Sequence, residues 1–220
     1  MPTQVLSDNN VRRLASATIA LPADVSPEGP KAGILNVALR LFAERGYAGA
    51  SMRDIAAAIG LKPASLYAHY ASKEQMLAQL ITLGHEEHLH YVRQALSDSK
   101  PTAEARLCAW VGGHVRFHAE FPMLAMLVNH ELHALSAEQV APALKLREQA
   151  TELMMDIITR GQAEGDFSSD FDCWLAGAAI GAMGMRVAHW YSENFDKSID
   201  EIVDNYQRFA CRIVGTHNNP

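Results

Sequence analysis

Hydrophobic residues recur at intervals of three and four along most of the chain, which is the spacing of amphipathic helices. Ile34, Ala38 and Leu41 fall on one stripe of such a helix, and Gly46 predicts its end. We find no alternation of hydrophobic and polar residues that is long enough for a strand. The pattern therefore predicts an all-α protein.

Turn-forming residues divide the second part of the chain into about five more helices. They lie near Pro101, Pro122 and Ser136 and in the segment 165–170, "GDFSSD". With the helices that precede them, these segments predict about nine helices in total. Residues 1–29 lack sustained periodicity and are predicted to be a flexible tail.

Two short helices separated by a glycine are predicted between residues 51 and 69. Ser51 and Asp54 have the spacing of a helix cap, and Gly60 predicts the end of that helix. Pro63 then suits the first position of the next helix, and Ser72 caps a long helix after it. This layout is typical of a helix-turn-helix.

The second short helix has one face that packs inward and another that can contact a binding partner. Leu66 and Tyr70, four residues apart, are predicted to point inward. Small residues on the other face allow close approach to a groove, and hydroxyl and imidazole groups can bind phosphates or base edges. The outward set is Ala64, Ser65, Tyr67, Ala68 and His69. These residues predict DNA binding.

The charge distribution favours the same interpretation. Residues 27–76 carry six basic and four acidic side chains, whereas residues 77–220 hold a net charge of −8. A basic module therefore precedes an acidic one, and we place the boundaries at 1–29, 30–76 and 77–220.

Composition excludes several other classes of protein. The three cysteines are far apart with no CxxC pair, so we expect reduced thiols. The most apolar run, 173–185, has 13 residues and is too short for a membrane helix. No signal peptide is evident, and a soluble protein of the cytoplasm is expected.

The segment "SMRDIAAAIGLKPASLYAHYASKEQML" (51–77) resembles the DNA-binding signature of the tetracycline-repressor (TetR) family, and the likeness extends over residues 31–80. It implies a positioning helix at 51–58 and a recognition helix at 63–69. Lys62 stands where the family usually has Ser or Thr. The DNA-binding residues that the resemblance and the pattern indicate are Ser51, Arg53, Lys62, Ala64, Ser65, Tyr67, His69 and Lys73.

The resemblance also implies that residues 77–220 form a dimerisation and ligand-sensing domain. Mid-helix glycines are tolerated where another backbone comes close, and the last helix is amphipathic. A paired-helix dimer surface is therefore expected, with a buried helix of a monomer as the alternative. The predicted dimer residues are Gly177, Gly181, Gly184, Tyr206 and Phe209.

Methionines and tryptophans are plentiful in this part, and together they suit an adaptable apolar pocket, although any one of them is more often plain core. The predicted ligand-binding residues are Trp110, His114, Met123, Met154, Met155 and Met183. The segments 129–136 and 144–167 are also similar to sensor domains that respond to acyl-CoA thioesters. The function expected is a repressor released from an inverted-repeat operator in double-stranded DNA by a small apolar effector.

Several histidines suggest a different class of protein, a small helical metal-dependent enzyme whose helix-turn-helix is incidental. His114 and His118 have the i, i+4 spacing of a zinc-binding pair. However, "HELH" (130–133) is one residue too short for the HExxH of metalloproteases, and no nucleophile motif is present. Hydrogen-bonded or solvated histidines, with no metal and no cofactor, are the prediction.

Overall fold

A computed structural model describes residues 20–23 and 27–216, and this part of the chain is helical, with no strand. The predicted all-α class is confirmed, and the described ranges hold nine α-helices and one 3-10 turn, Leu132–Ala134. Residues 1–19 and 24–26 of the predicted tail lie outside the described residues. The helices are α1 (Pro30–Gly49), α2 (Met52–Ala58), α3 (Pro63–Tyr67), α4 (Lys73–Ser97), α5 (Ala103–Glu120), α6 (Pro122–His130), α7 (Ala137–Ala163), α8 (Cys173–Trp190) and α9 (Ile199–Val214).

The chain forms two compact units, and the first joins the helix-turn-helix to α6. It contains the described residues up to Glu87 together with Phe121–Leu146. Its core combines side chains of α1 to α4 with α6: Ile34, Leu35, Leu39, Phe42, Ile55, Leu66, Met76, Leu77, Leu124 and Val128. A methyl group added at Gly84 would lie 2.5 Å from a Val128 carbon, so glycine lets α4 and α6 approach each other closely.

Gly46 interrupts the regular geometry of α1 near its end. Its φ of 73° lies in the region that favours glycine, and the helix kinks there. The predicted end of the first helix at this residue therefore corresponds to a real change of backbone direction.

The second unit contains His88–Glu120 and the described residues from Arg147 onward. Its core includes Val92, Trp110, Val115, Ile158, Ile180, Val187, Ile202 and Ala210. A methyl group at Gly113 would lie 2.7 Å from the Tyr91 carbonyl oxygen, so the α4 and α5 backbones are in close contact. Ser198 and Glu201 form a capping box at the start of α9, and Gly215 ends that helix with a φ of 61°.

The functional boundary predicted between residues 76 and 77 remains a prediction. Compactness alone groups α6 and the first turns of α7 with the helix-turn-helix. Within the described ranges, no helix combines the length and the apolar character needed to cross a membrane.

Candidate nucleic-acid interface and sensor unit

A complete capping box holds the start of α2. The Ser51 hydroxyl oxygen accepts a hydrogen bond from the Asp54 backbone N–H at 3.2 Å, and the Asp54 carboxylate accepts the Ser51 N–H at 2.9 Å. The Ser51 hydroxyl also donates to that carboxylate at 2.5 Å. Hydrogen bonds from Ser51, then the charge of Arg45, lower the pKa of Asp54. Ser51 is thus occupied as a helix cap, and its predicted role in DNA binding stays a prediction.

Two buried side chains fix the orientation of α3. Leu66 is 0% exposed and Tyr70 is 1% exposed. The Tyr70 hydroxyl donates to the Gln79 side-chain oxygen at 2.9 Å, and burial raises the pKa of Tyr70 to about 12. The inward face predicted for this helix matches the structure.

The other face of α3 is presented to solvent together with part of α2. Tyr67 is 54% exposed although it is a large aromatic residue. The structure brings the following predicted DNA-binding residues to this surface, exposed except for the half-buried His69: Arg53, Lys62, Ala64, Ser65, Tyr67 and His69. Lys62 precedes α3 and its side chain makes no capping hydrogen bond. We call these six residues the α2–α3 face.

Lys73 has a structural partner that the sequence did not reveal. Its ammonium donates to the carbonyl oxygens of Tyr47 at 2.6 Å and Ala50 at 2.8 Å. It also lies 4.1 Å from the centroid of the Tyr47 ring, which is within the range of a cation–π contact. Lys73 therefore joins the end of α1 to the start of α4, and its predicted role in DNA binding stays a prediction.

The predicted ligand residues are divided between the two cores. Met123 is 3% exposed in the core of the first unit, whereas the other five belong to the second. Met123 is packed between helices of the first unit, and its predicted role in ligand binding stays a prediction. Within the second unit, Trp110 donates to the Ala150 carbonyl at 3.0 Å, and Met154 is buried.

His114 lies in a chain of hydrogen bonds that defines its tautomer. Its Nε2 is 3.0 Å from the Gly181 carbonyl oxygen, so Nε2 carries the proton and donates it. Nδ1 then accepts, and His88 Nε2, 2.8 Å away, is the donor. The His114 carbonyl in turn accepts from His118 Nδ1 at 2.8 Å. Burial lowers the pKa of His114 to about 4, and the bond to Gly181 opposes this.

An open groove of about 530 Å³ lies among α4, α5 and α9 in the second unit. Its walls are polar and apolar in about equal measure, and none of the six predicted ligand residues lines it. The lining residues are Tyr91, Gln94, Ala95, Asp98, Ala109, Gly112, Gly113, Arg116, Val203, Asp204 and Gln207. Sequence reasoning missed this groove, because its residues come together only through packing of three distant helices.

The glycines of α8 have different surroundings. A methyl group at Gly177 would lie 2.8 Å from Met155 Sδ, and one at Gly184 would lie 2.1 Å from His114 Cδ2. Both glycines are buried by contacts within their own unit, and their predicted role at a dimer surface stays a prediction. At Gly181 the space is open, with nothing within 4 Å. Tyr206 is half-buried and stacks on Trp190.

The outward side of α8 carries an apolar surface that sequence reasoning missed in part. Trp174 is 67% exposed and Leu175 is 63% exposed. Small residues follow them on the exposed side, namely Ala178, Ala179 and Ala182. Phe209, a predicted dimer residue on α9, is 41% exposed. The sequence signal for this apolar surface was the alternation of these exposed positions with buried Ile180 and Val187.

Comparisons with known proteins identify the family. Residues 34–80 match the model described as bacterial regulatory proteins, tetR family, and residues 100–214 match the model described as tetracyclin repressor-like, C-terminal domain. The second match alone spans half of the chain. The chain therefore belongs to the TetR family, and it is a DNA-binding transcriptional regulator with an N-terminal helix-turn-helix.

The named relative and the two similar solved structures described here are also transcriptional regulators or regulatory proteins. The HTH-type transcriptional repressor KstR2 of Rhodococcus jostii RHA1 is 27% identical over 203 residues, covering 90% of this chain and 98% of the relative. A tetR-family regulatory protein from Rhodococcus RHA1 is 31% identical with a TM-score of 0.77, covering 84% and 96%. AibR, solved with isovaleryl coenzyme A and operator DNA, is 22% identical with a TM-score of 0.72, covering 84% and 97%, and shows the fold.

The buried neutral state of His114 predicts a pH-dependent stability. Above pH 6.5 the imidazole is neutral in both the folded and the unfolded chain. As the pH falls from 6.5 towards 4, the unfolded chain binds a proton that folded His114 does not, so the free energy of unfolding falls. At about 1.4 kcal/mol per pH unit, roughly 2 kcal/mol is lost by pH 5.

Urea unfolding at pH 7.5 and pH 5 measures this effect. The His114→Gln variant should lose roughly 2 kcal/mol less than the parent between the two pH values. His133→Gln, at an exposed position, is the matched control and should keep the parent's pH dependence. An identical dependence in His114→Gln would show that His114 is not held neutral.

Proposed function

We propose that the protein is a homodimeric repressor whose two α3 helices read successive major grooves of an inverted-repeat operator, and that a small effector releases it. One observation carries the DNA-binding part. Leu66 of helix α3 and Tyr70 just after the helix are almost completely buried, while Lys62, Ala64 and Tyr67 on the other side are exposed. A helix anchored in this way can enter a groove of DNA without disturbing the hydrophobic core of the first unit.

The α2–α3 face has the chemistry that such a role needs. Ala64 and Ser65 are small, so the backbone of α3 can approach the groove floor. The Tyr67 hydroxyl and the Lys62 ammonium suit phosphate contacts, which fix the position of the protein on the duplex. His69 and Ser65 are proposed to contact base edges or backbone.

The same proposal makes the protein a regulator and not an enzyme. The support is that the named relatives are transcriptional repressors, and that the family match spans both parts of the chain. Since bacterial chromosomal DNA lies in the cytoplasm, the function proposed would place the protein there. We assign no catalytic residue, metal or cofactor.

Lys62 provides a direct test of phosphate binding. Lys62→Ala should weaken binding to all DNA sequences by a similar factor, because a phosphate contact carries no sequence information. The slope of log affinity against log salt concentration should become shallower by about 0.9, the value for one lost contact. Fluorescence anisotropy with labelled duplexes at several salt concentrations measures both quantities.

Lys145→Ala is the matched control, since Lys145 is an exposed lysine of α7. It should leave both the affinity and the salt slope unchanged. If Lys62→Ala keeps the parent's slope, or if both variants change it equally, Lys62 does not contact a phosphate.

The proposed dimer uses the outward side of α8 together with α9. Trp174, Leu175 and Phe209 are large apolar side chains that the single chain leaves exposed, and patches of this kind mark interaction sites. The open space at Gly181 lets another backbone come close. A two-fold dimer also matches the symmetry of an inverted repeat.

Sedimentation velocity tests the dimer surface. Leu175→Arg should convert the dimer to a monomer at micromolar concentration, because it places two charges in an apolar contact. Leu144→Arg changes an exposed leucine of α7 in the same way and should remain a dimer. A parent protein that sediments as a monomer, or a dimer that survives Leu175→Arg, would contradict the proposed surface.

An acyl-CoA thioester is the effector class that we propose. The support is twofold: the segments 129–136 and 144–167 resemble acyl-CoA-responsive sensors, and the fold seen in AibR holds isovaleryl coenzyme A. The chain passes between the two units at residues 87–88, 120–121 and 146–147, so helices α4 and α7 and the α5–α6 junction connect the sensor unit to the helix-turn-helix. Coupling of about 1–3 kcal/mol, or roughly 5–150-fold in affinity, is enough to switch occupancy.

Titration of a pre-formed complex with a selected genomic fragment tests this effector class. Acyl-CoA thioesters of several chain lengths should lower DNA affinity within the stated range. Free coenzyme A, free fatty acids and flat aromatic compounds are the controls and should leave the complex intact. Release by aromatic compounds alone, or no response to any thioester, would contradict the assignment.

A further inference from the structure

Two of the three cysteines meet across helices of the second unit. Cys108 lies on α5 and Cys211 on α9, and their sulfur atoms are 3.5 Å apart although the residues are 103 positions apart in the chain. Both side chains are half-buried, so small molecules in solution can reach them. The separation of the two sulfur atoms is that of a thiol–thiol hydrogen bond.

We propose that Cys108 and Cys211 form a redox-active dithiol that a hydroperoxide converts to an intramolecular disulfide between α5 and α9. A disulfide places its sulfur atoms about 2.05 Å apart. Forming the bond would bring the two sulfur atoms about 1.5 Å closer than their 3.5 Å separation. No other part of the proposed function uses either thiol.

The two thiols have different roles in the reaction. The hydrogen bond from the Cys211 thiol lowers the pKa of Cys108, against the opposing effects of burial and Glu104. The same hydrogen bond, together with burial, raises the pKa of Cys211. A thiolate is the nucleophilic form of cysteine, so Cys108 attacks the peroxide first and Cys211 resolves the product.

The electrons and atoms balance in two steps. The Cys108 sulfur attacks one peroxide oxygen, the O–O bond breaks, and the leaving oxygen takes the thiol proton as water or an alcohol. Cys108 is then a sulfenic acid. The Cys211 sulfur attacks it, the S–O bond breaks, and the hydroxyl group leaves with the Cys211 proton as water. Two thiols lose two electrons to one hydroperoxide.

The disulfide would change the walls of the groove defined above. Ala109 and Gly112 of α5 and Gln207 of α9 line this groove, and the Gln207 side chain donates to the Cys108 carbonyl at 2.9 Å. Linking Cys108 to Cys211 therefore fixes these two walls relative to each other. The oxidation state of the two cysteines would therefore affect the groove at the part that α5 and α9 border.

Cys173 provides an internal control. It is also half-buried, but its thiol donates to the Gln162 side-chain oxygen at 3.1 Å instead of facing another thiol. If accessibility alone decided oxidation, Cys173 would react as readily as the pair. If the proximity of two thiols decides it, Cys173 stays reduced while the pair reacts.

Thiol alkylation and non-reducing peptide mapping of the full chain test the proposal. After brief treatment with hydrogen peroxide, two of the three thiols should be lost, with a mass decrease of two hydrogens and a cross-linked peptide pair containing Cys108 and Cys211. Dithiothreitol should restore all three thiols. The Cys173→Ser variant should form the same disulfide at the same rate.

Variants with a single cysteine replaced separate the attacking role of Cys108 from the resolving role of Cys211. Cys211→Ser should stop at a Cys108 sulfenic acid that dimedone traps, whereas Cys108→Ser should give no sulfenic acid at Cys211. Circular dichroism confirms that each serine variant is folded. Retention of both thiols in the parent, a disulfide that joins two chains, or preferential oxidation of Cys173 would overturn the proposal.

Discussion

A helix of five residues is too short to be stable in water, and the DNA-binding surface depends on how α3 is held. Leu66 and Tyr70 supply that support by burial in the core of the first unit. Fully burying one large apolar side chain contributes about 1.5–3 kcal/mol, whereas the first turn of an isolated helix costs more backbone entropy than its hydrogen bond returns. Because the anchor lies on one side, every exposed residue of α3 has a fixed direction.

Three polar interactions hold the elements next to this anchor. The capping box of Ser51 and Asp54 defines where α2 begins, and the Lys73 ammonium joins two carbonyl groups near the end of α1 to the first turn of α4. The Glu74 carboxylate accepts the backbone N–H of Ser136 at 2.8 Å, which ties the start of α7 to the same unit. Helix α3 is thus supported by packing and by hydrogen bonds that leave its outward face open.

Local sequence signals were sufficient for the helix-turn-helix, because its caps, its turn glycine and its i, i+4 pair act within 20 residues. The inward position of Leu66 and Tyr70 and the exposure of Tyr67 followed from helical periodicity alone. The contacts of Lys73 could not be predicted from such local signals. Its two carbonyl partners lie 26 and 23 residues away, and nothing in the local pattern of hydrophobic positions indicates them.

The packing of the second unit was harder to predict from the sequence, because it also depends on contacts between residues that are far apart in the chain. Mid-helix glycines indicate close approach but do not say whether the neighbour is the same chain or another. Gly177 and Gly184 accommodate Met155 and His114 of their own unit, while Gly181 faces open space. The hydrogen bond between His88 and His114 and the contact between Cys108 and Cys211 likewise depend on tertiary packing.

Footprinting combined with photocrosslinking would show whether the α2–α3 face of a dimer reads DNA. Hydroxyl-radical footprinting on a selected genomic fragment should show two protected patches, related by an inverted repeat and centred about 34 Å or a multiple of one helical turn apart. A photoreactive group at position 67 should crosslink to DNA within those patches, whereas the same group at exposed position 144 should not. A single protected patch, or crosslinking from position 144 instead of position 67, would contradict the account.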